Sequence, residues 1–468
     1  MNYISTRGQA PLAGFEEVLL TGLAPDGGLY VPEAWPALTA DDIADFRNRP
    51  YAEVAARIIA LFTGEAFSQA QLLDIAGAVY GRFDHADVAP LTKVGAEDWI
   101  LELYHGPTLA FKDFAMQFLG RLFDEVLARR GERLTIIAAT SGDTGAAAID
   151  ALKSCAHVDV VVLHPEGRVT DVQRRMMTCV DAANVQNIAV AGSFDDCQAI
   201  VKELFADRAF VSQVRLGGVN SINWARIAAQ TVYYFTAAAA VAETGEGVSF
   251  VVPTGNFGDI FAGYVAKKIG LNINRLAVAT NANDILHRAM TSGDYAPAGV
   301  APTLSPSMDI QVASNFERLL FEVMGRDADA LRVKMDGFKR DGAMRLSAGE
   351  REAISADFLS YATSEDETIA ELNRHFEATG ALIDPHTAVA RVAAQALRQQ
   401  GALSGKVVTL STAHPAKFPD AVMQATGTTP KLPLAHRDLF DRPEVMTNAA
   451  NNTDAIKQAI LASIEQKA

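Results

Sequence analysis

A lysine stands between two phenylalanines in the segment YHGPTLAFKDFAMQFLG, residues 104 to 120. Apolar residues recur at three- and four-residue spacing from Phe111 to Leu127, which predicts an amphipathic helix. Lys112 lies off this apolar stripe, in the first turn, where the helix dipole disfavours a cation. An amine kept neutral by its surroundings is suited to forming a Schiff base. A solvated surface lysine is the simpler interpretation as long as this segment is considered alone.

The segment AATSGDTGAAA, residues 138 to 148, is rich in hydroxyl groups and glycine. It follows the apolar run LTIIAA and opens a helix of small residues. A turn from a strand into a helix collects backbone N–H donors and binds anions. We therefore expect Ser141, Thr144 and Gly145 to bind a carboxylate. The alternative is a helix that is simply well capped by Thr, Ser and Asp.

The segment PTGNFGDIFAGY, residues 253 to 264, also leads from an apolar run into a helix. Gly255 and Gly258 allow close approach of the backbone, so the N–H groups up to Asp259 are suited to holding a phosphate. The loop has no Lys or Arg, which indicates a phosphate that is anchored by backbone dipoles rather than turned over. No Walker motif and no GxGxxG after a strand occurs, which argues against a nucleotide. A glycine-rich turn without a ligand is the alternative.

Two further segments carry polar side chains at the ends of predicted elements. In NSINWARI, residues 220 to 227, Ser221 is the predicted N-cap of a helix, and Asn223 and Arg226 lie one turn apart. Arg226 is suited to bidentate contact with a phosphate, and a surface arginine is the alternative. In LSTAHPAKF, residues 410 to 418, two hydroxyls end an apolar run. Either of them is suited to bonding a ring nitrogen without giving it a full positive charge.

The elements that position these residues become visible from about Leu134 onward. Short apolar runs alternate with longer amphipathic stretches, which is typical of strands and helices around a parallel sheet, so we predict an α/β fold. The predicted strands are residues 134–139, 158–165, 185–192, 248–255, 275–280 and 406–412, and the predicted helices between them include 172–180, 194–205 and 224–243.

Composition, net charge and cysteine spacing argue against several classes of protein. The 468 residues carry a formal net charge of -15, which argues against a nucleic-acid partner. The start lacks a signal-peptide pattern and no apolar run is long enough to span a bilayer, so we predict a cytoplasmic protein without membrane insertion. The three cysteines have no metal-ligand spacing and are expected to be reduced packing residues; we predict no metal site.

Seven segments resemble the pyridoxal-phosphate enzymes of the tryptophan synthase β fold type and, within them, the threonine synthase family. They occur in the family's order over nearly the whole chain, so their joint occurrence is specific. The segments are STRG (5–8), GLAPDGGLYVPE (22–33), HGPTLAFKDFA (105–115), ATSGDTGAA (139–147), NSINWARI (220–227), PTGNFGD (253–259) and STAHPAKF (411–418).

The resemblance implies two open, twisted, mainly parallel sheets flanked by helices, with an extra, mainly helical N-terminal domain. We expect this N-terminal domain over 1–90. The other predicted parts are a large cofactor-binding domain over 91–130 and 230–430 with an insertion near 324–352, a small α/β domain over 131–229, and a C-terminal extension over 431–468.

Carried over residue by residue, the resemblance implies that Lys112 forms the Schiff base with pyridoxal phosphate. Thr412, or alternatively Ser411, is implied as the partner of the pyridine nitrogen. The loop that holds the cofactor phosphate is implied to be Gly255, Asn256, Phe257, Gly258 and Asp259. The turn that holds the substrate is implied to contain Thr140, Ser141, Asp143 and Thr144. Relatives of other activities have Asn at the position of Asp143, so the contact of that Asn with the ring hydroxyl does not transfer here.

The implied reaction converts O-phospho-L-homoserine and water to L-threonine and phosphate, the last step of threonine biosynthesis, and classes the chain as a lyase. Lys112 is expected to carry protons, and Ser221, Asn223 and Arg226 are expected to bind the substrate phosphate. The alternatives are a serine or threonine dehydratase, a cysteine synthase, a non-catalytic paralogue that binds a phosphorylated metabolite, and a phosphate-binding protein without a cofactor. We expect a monomer or homodimer.

Overall fold

The computed structural model describes residues 1–140, 142–243 and 245–465, which divide into two compact units. The large unit comprises Met1–Val18, Gly22–Phe111 and Ser221–Pro430. The small unit comprises Leu19–Thr21, Lys112–Asn220 and Lys431–Ala468. The domain boundaries that we drew from the sequence stay a prediction.

The strands are β1 (Asn2–Ser5), β2 (Ala13–Gly14), β3 (Tyr30–Pro32), β4 (Leu91–Lys93), β5 (Asp98–Glu102), β6 (Leu134–Ala139), β7 (Val158–Pro165), β8 (Val185–Ala191), β9 (Leu216–Gly217), β10 (Val248–Pro253), β11 (Ile273–Thr280), β12 (Asp294–Tyr295), β13 (Met344–Arg345), β14 (Phe358–Ala362), β15 (Val407–Ser411) and β16 (Thr447–Ala450).

The helices are α1 (Phe15–Thr21), α2 (Ala40–Asp45), α3 (Tyr51–Thr63), α4 (Gln69–Tyr80), α5 (Lys112–Arg130), α6 (Asp143–Leu152), α7 (Asp171–Thr178), α8 (Phe194–Ala206), α9 (Arg208–Val214), α10 (Trp224–Val241), α11 (Gly258–Lys268), α12 (Ile285–Thr291), α13 (Phe316–Val323), α14 (Ala328–Asp341), α15 (Ala348–Ser355), α16 (Glu365–Thr379), α17 (Pro385–Gln399), α18 (Pro419–Thr426) and α19 (Thr453–Glu465). Short 3-10 turns lie at Gly64–Ala66, Pro306–Met308, Pro415–Lys417 and Leu434–His436.

A six-stranded sheet in the order β14-β11-β10-β15-β5-β4 forms the centre of the large unit. All neighbouring strands run parallel except β4 and β5. Strand β10 is buried along its whole length, as expected for a parallel strand covered on both faces. Because β10 and β15 are parallel neighbours, the residues that follow Pro253 and Ser411 leave the sheet from the same edge, where ligands of open α/β sheets bind.

A five-stranded parallel sheet in the order β16-β8-β7-β6-β9 forms the centre of the small unit. Every residue of β7 is buried, and Ile136 of β6 pairs with Val160 of β7. Helices α8 and α19 cover one face with apolar side chains, including Ile200 and Ile460. The segment TSGDTG therefore begins at the carboxyl end of a buried strand, as the sequence predicted.

The N-terminal region is mainly helical, which confirms the prediction. It contains helices α1 to α4 and a three-stranded antiparallel sheet in the order β2-β1-β3. The predicted insertion near 324–352 does contain helical parts, namely α14 and the start of α15. Within the described ranges, no helix combines the length and the apolarity needed to cross a membrane.

The six strands predicted from apolar runs are all present, two with the predicted ends and four with ends that differ by one or two residues. Strands β5 and β14 were missed, because each is only five residues long and is not fully buried along its length.

The prediction of one apolar stripe on α5 is wrong for its first half. Every residue from Lys112 to Gly120 is buried, so no face of this part of the helix is solvated.

Candidate active site

Lys112 is the first residue of α5 and is only 9% exposed. The segment before it is fixed by the backbone: the N–H of Phe111 donates to the carbonyl of Thr412 at 2.9 Å, and that of His414 donates to Leu109 at 3.0 Å. Leu109 itself has a φ of +59°, a left-handed conformation that is rare for a leucine and marks a constrained position. The chain therefore enters α5 in a fixed conformation, and Lys112 is not a solvated surface lysine.

A carboxylate lies beside Lys112 within the small unit. Its Nζ is 3.4 Å from Oδ2 of Asp143, the first residue of α6. The other oxygen, Oδ1, accepts a hydrogen bond of 2.8 Å from Nε2 of Gln173. The carboxylate favours the ammonium form of Lys112, whereas the helix start that we noted in the sequence favours the neutral amine. The two influences oppose each other.

Gln173 was missed in the sequence because its side chain reaches Asp143 from another helix, α7. Gly142, the residue before Asp143, leaves space for the side chain of Gln173. Gly142 has a φ of +138°, and a Cβ at that position would lie 2.6 Å from Cδ of Gln173. Only glycine fits this conformation and this approach, so the turn and the glutamine depend on each other.

The hydroxyl of Thr140 organises the turn that enters α6. Its Oγ1 accepts hydrogen bonds from the N–H groups of Gly142 and Gly145, both at 2.9 Å. The N–H of Gly145 is thus used inside the turn, contrary to our expectation that it binds a carboxylate. The hydroxyl hydrogen of Thr140 is left as a donor, and Thr144 lies half-buried in the first helical turn. Ser141 lies outside the described residues.

The loop after β10 has a strained conformation at a bulky residue. Phe257 has a φ of +65°, and its buried ring packs against Phe316 and Phe358 with centroids 5.4 and 5.7 Å away. Such strain persists only where the surroundings enforce it, and it is common at ligand sites. Gly258 starts α11, so the first-turn N–H groups lie at the end of this loop, where they attract an anion. At Gly255 a Cβ would lie 3.0 Å from the carbonyl oxygen of Ser307.

The side chain of Asp259, in the same loop, forms hydrogen bonds in the interior of the large unit. Its Oδ1 accepts hydrogen bonds from the hydroxyls of Tyr233, at 2.5 Å, and Tyr234, at 3.0 Å. Both tyrosines belong to α10 and are buried. The carboxylate is thereby hydrogen-bonded within the protein. Of the groups of Asp259, only the backbone N–H is suited to contact with a phosphate.

Helix α10 begins with a buried cation. Asn223 is its N-cap and accepts a 3.0 Å hydrogen bond from the N–H of Ala225, so the prediction of Ser221 as N-cap is wrong. Arg226, in the first turn, is 4% exposed. Within the described residues it has no carboxylate within 4.0 Å, and its Nε makes no hydrogen bond. Burial lowers the pKa of this guanidinium to about 10. A buried cation without a counter-charge is costly, and an anionic ligand removes that cost.

The hydroxyls that end β15 differ in their surroundings. Oγ of Ser411 lies 2.7 Å from Oγ1 of Thr387, which in turn contacts Asp384. Thr412 is buried, and its hydroxyl makes no hydrogen bond within the part of the chain that the structure describes. The hydroxyl of Thr412 is therefore available for a ligand, whereas that of Ser411 is part of an internal network.

A buried histidine was missed in the sequence. Nδ1 of His386 lies 2.6 Å from Oδ2 of Asp384, and its Nε2 accepts the N–H of Ser307 at 3.2 Å. This contact helps to hold Ser307 beside Gly255. The available signal was the Asp-Pro pair at 384–385, since Asp is a favoured N-cap and Pro a favoured first helical residue; Asp384 is indeed the N-cap of α17.

Three family models match the chain. "Threonine synthase N terminus" matches residues 2–80, "Pyridoxal-phosphate dependent enzyme" matches residues 88–337, and "Threonine synthase, C-terminal" matches residues 387–460. The threonine synthase of Pseudomonas aeruginosa is 51% identical over 452 residues, which covers 96% of each chain.

Solved structures give the same result. The structure of pyridoxal-phosphate-bound threonine synthase from Brucella melitensis matches with a TM-score of 0.96 and 49% identity, covering 99% of both chains. The yeast threonine synthase structure matches with a TM-score of 0.94 and 38% identity, again over 99% of both chains. These likenesses extend over the whole length and are not restricted to a shared domain.

Proposed function

The chain belongs to the threonine synthase family of pyridoxal-phosphate dependent enzymes, and from this membership we propose how its residues carry the reaction. The reaction is the conversion of O-phospho-L-homoserine and water to L-threonine and phosphate. The observation that carries the proposal is Arg226, a buried cation without a carboxylate partner within the described residues. A serine or threonine dehydratase has no substrate phosphate to bind, so this cation favours a phosphorylated substrate.

Pyridoxal phosphate, when bound, supplies an electron sink that withdraws electrons from the substrate's Cα and Cβ. The described residues fit this group. Lys112 supplies a buried amine, and the cofactor-phosphate loop, which we define as residues 255–259, supplies the N-terminal end of α11. Thr412 supplies a neutral hydroxyl for the pyridine nitrogen. We choose Thr412 over Ser411 because the hydroxyl of Ser411 is already bonded to Thr387.

Lys112 moves protons at the substrate's Cα and Cβ. Asp143 lies close enough to hold the ammonium form between transfers, and Gln173 fixes the carboxylate in that position. Thr140 and Thr144, at the same turn, supply donors for the substrate carboxylate. We keep Ser141 in this role on the strength of the sequence alone.

The substrate phosphate binds at the substrate-phosphate loop, which we define as residues 221–226. Arg226 supplies the charge, and the first-turn N–H groups of α10 add their dipoles. Asn223 caps the helix through Oδ1, and we keep Asn223 and Ser221 as contacts of the substrate phosphate on the strength of the sequence. These groups stabilise the negative charge that develops on the departing phosphate.

The test is phosphate release from O-phosphohomoserine by the holoenzyme, with threonine identified as the product. Replacing Lys112 with Ala should lower kcat by more than about 1,000-fold, because the proton carrier is lost, and should remove the visible absorption that depends on the lysine. Lys153→Ala is the control, since within the described ranges the side chain of this lysine pairs only with Asp150. A Lys112→Ala enzyme that keeps both properties would refute the assignment.

A cytoplasmic location and a monomeric or homodimeric state belong to the same proposal. Two of the three cysteines, Cys155 and Cys197, are buried, and burial raises the pKa of the Cys155 thiol to about 12, as suits reduced packing residues. Cell fractionation and light scattering of the purified chain would check the two predictions.

A further inference from the structure

Helix α13 begins with two buried polar residues that the reaction does not use directly. Asn315 occupies the N-cap position and Arg318 the first turn, and both are 0% exposed. An asparagine at an N-cap ordinarily accepts a hydrogen bond from its own helix. Asn315 makes no such bond, and its side chain instead forms hydrogen bonds with other segments of the large unit.

Asn315 joins the two loops to which we assign the two phosphates. Its Nδ2 donates to the carbonyl of Asn256, in the cofactor-phosphate loop, at 3.1 Å. The same nitrogen donates to the carbonyl of Ser221, in the substrate-phosphate loop, at 3.2 Å. Its backbone N–H also donates to Asn256, at 3.1 Å. One residue thus holds two segments that lie far apart in the sequence.

Arg318 completes the connection. One of its terminal nitrogens donates to Oδ1 of Asn315, the other donates to the carbonyl of Ile222 at 2.6 Å, and its Nε donates to the carbonyl of Tyr30 at 3.0 Å. Its guanidinium also lies over the ring of Trp224, 5.6 Å from the centroid. Burial lowers its pKa to about 9, and no carboxylate within the described residues lies within 4.0 Å of it.

These contacts determine which way the loop peptides point. In a trans peptide the N–H points opposite to the C=O. Because the carbonyls of Asn256, Ser221 and Ile222 are bound by Asn315 and Arg318, the N–H groups of the residues that follow them point away from this pair. The carbonyl ends of three peptide dipoles are thereby directed toward this pair, and the N–H ends point to the opposite side, which is the orientation that anion binding by backbone N–H groups requires.

We propose that Asn315 and Arg318 are positioning residues that hold the cofactor-phosphate loop and the substrate-phosphate loop in their anion-binding conformations, so that affinity for both phosphates depends on this one pair. The proposal rests on the proposed function for the identity of the second phosphate. Arg318 and Arg226 also place two buried cations near the start of α10, which suits a dianion better than a carboxylate.

The experiment measures cofactor affinity, KM for O-phosphohomoserine and the inhibition constant of inorganic phosphate, for the wild type and for Asn315→Ala. Each should weaken about tenfold or more, because one substitution removes hydrogen bonds from both loops. The value of kcat should also fall, because the substrate-phosphate loop stabilises the departing phosphate, whereas the visible absorption that depends on Lys112 should be kept at saturating cofactor, since Lys112 lies in the other unit and keeps its contact with Asp143.

Glu317→Gln is the matched control. Glu317 is the buried neighbour on the same helix, and it holds Arg7 and Thr6 of the STRG segment without touching either loop. It should lower thermal stability and leave both affinities within about twofold. Equal losses of affinity in Glu317→Gln, or unchanged cofactor affinity in Asn315→Ala, would overturn the proposal.

Arg318→Lys provides a second variant in case Asn315→Ala does not fold. A lysine keeps the charge but not the fork of three directed bonds, so cofactor affinity should again fall by about tenfold. Wild-type affinity in this variant would contradict the positioning role. Cofactor affinity does not depend on the substrate's identity, so a failure of the proposed function, seen as no threonine formed by the wild type, is distinguishable from a failure of this inference.

Discussion

The two loops of the large unit that we propose to bind phosphates offer different groups to an anion. The cofactor-phosphate loop contains no Lys or Arg and presents backbone N–H groups at the start of α11, and its one charged side chain, Asp259, is bonded to tyrosines. The substrate-phosphate loop presents Arg226, a buried guanidinium with no counter-charge among the described residues. Both loops include a helix N-terminus, but only the substrate-phosphate loop contains a positively charged side chain.

We expect this difference because the two phosphates have different fates in the proposed reaction. The cofactor phosphate is retained through every turnover, so neutral dipoles that match one fixed position are sufficient. The substrate phosphate leaves, and negative charge develops on it as its bond to carbon breaks. A buried cation stabilises that charge more strongly than a peptide dipole does, and it does so most where the charge is greatest.

The strongest test of this comparison is Arg226→Met. Loss of a buried charge that contacts a phosphate should lower kcat/KM for O-phosphohomoserine by about 100- to 1,000-fold, while the dissociation constant of pyridoxal phosphate changes by less than about twofold. Steady-state kinetics and a spectroscopic cofactor titration measure the two quantities. Arg226→Lys, which keeps a cation, should be less impaired. Equal losses in kcat/KM and cofactor affinity would mean that Arg226 does not distinguish the two phosphates.

The reciprocal test is Gly255→Ala, which should impair the cofactor more than the substrate. The added Cβ would lie 3.0 Å from the carbonyl oxygen of Ser307 and 3.4 Å from Cα of Met308, so the loop must shift. We expect cofactor affinity to fall by about tenfold and kcat at saturating cofactor to fall by less than about threefold. Gly77→Ala is the control, since a Cβ there meets nothing within 4 Å. An unchanged cofactor titration would show that the loop tolerates the shift.

The smallest effect is expected for Tyr233→Phe. It removes the 2.5 Å hydrogen bond to Asp259 and leaves a buried carboxylate with one donor fewer. The free energy of unfolding should fall by about 2 kcal/mol, whereas kcat/KM should stay within about threefold, because the carboxylate shapes the loop rather than contacting a phosphate. Denaturant unfolding of the holoenzyme measures the first quantity. Tyr264→Phe is the control, since its hydroxyl makes no hydrogen bond within the described residues.

Much of the site could be predicted because its residues lie in contiguous segments with local signatures. A buried apolar strand followed by glycine and hydroxyl residues and then a helix is visible in the sequence, and it located the turn at Thr140 and the loop at Gly255. The position of Lys112 against the local preference of a helix start marked it as unusual, and the resemblance to the family implied its role. The prediction of Ser221 as N-cap failed because Ser, Asn and Asp compete as caps, and Asn223, two residues later, occupies the position.

The residues that were missed act across long sequence separations. Gln173 reaches Asp143 from α7, His386 holds Ser307, and Asn315 joins Asn256 to Ser221. No local spacing marks such contacts, because each depends on how helices and loops are placed by the sheets. Burial is also invisible in the sequence: Arg226 resembles a surface arginine there, and only the folded environment shows that it is buried without a carboxylate partner among the described residues.

The sequence by itself determined the α/β class, the strand-to-helix turns and the set of motifs that identifies the family, because these depend on hydrophobic periodicity and on the chemistry of neighbouring residues. The tertiary structure alone decided which polar groups remain available to a ligand. A polar group is available to a ligand only if no internal hydrogen bond uses it. The hydroxyl of Ser411 and the N–H of Gly145 are used internally, whereas the hydroxyl of Thr412 and Nε of Arg226 make no hydrogen bond within the described part of the chain. That balance depends on contacts between distant segments, and so it exists only in the folded chain.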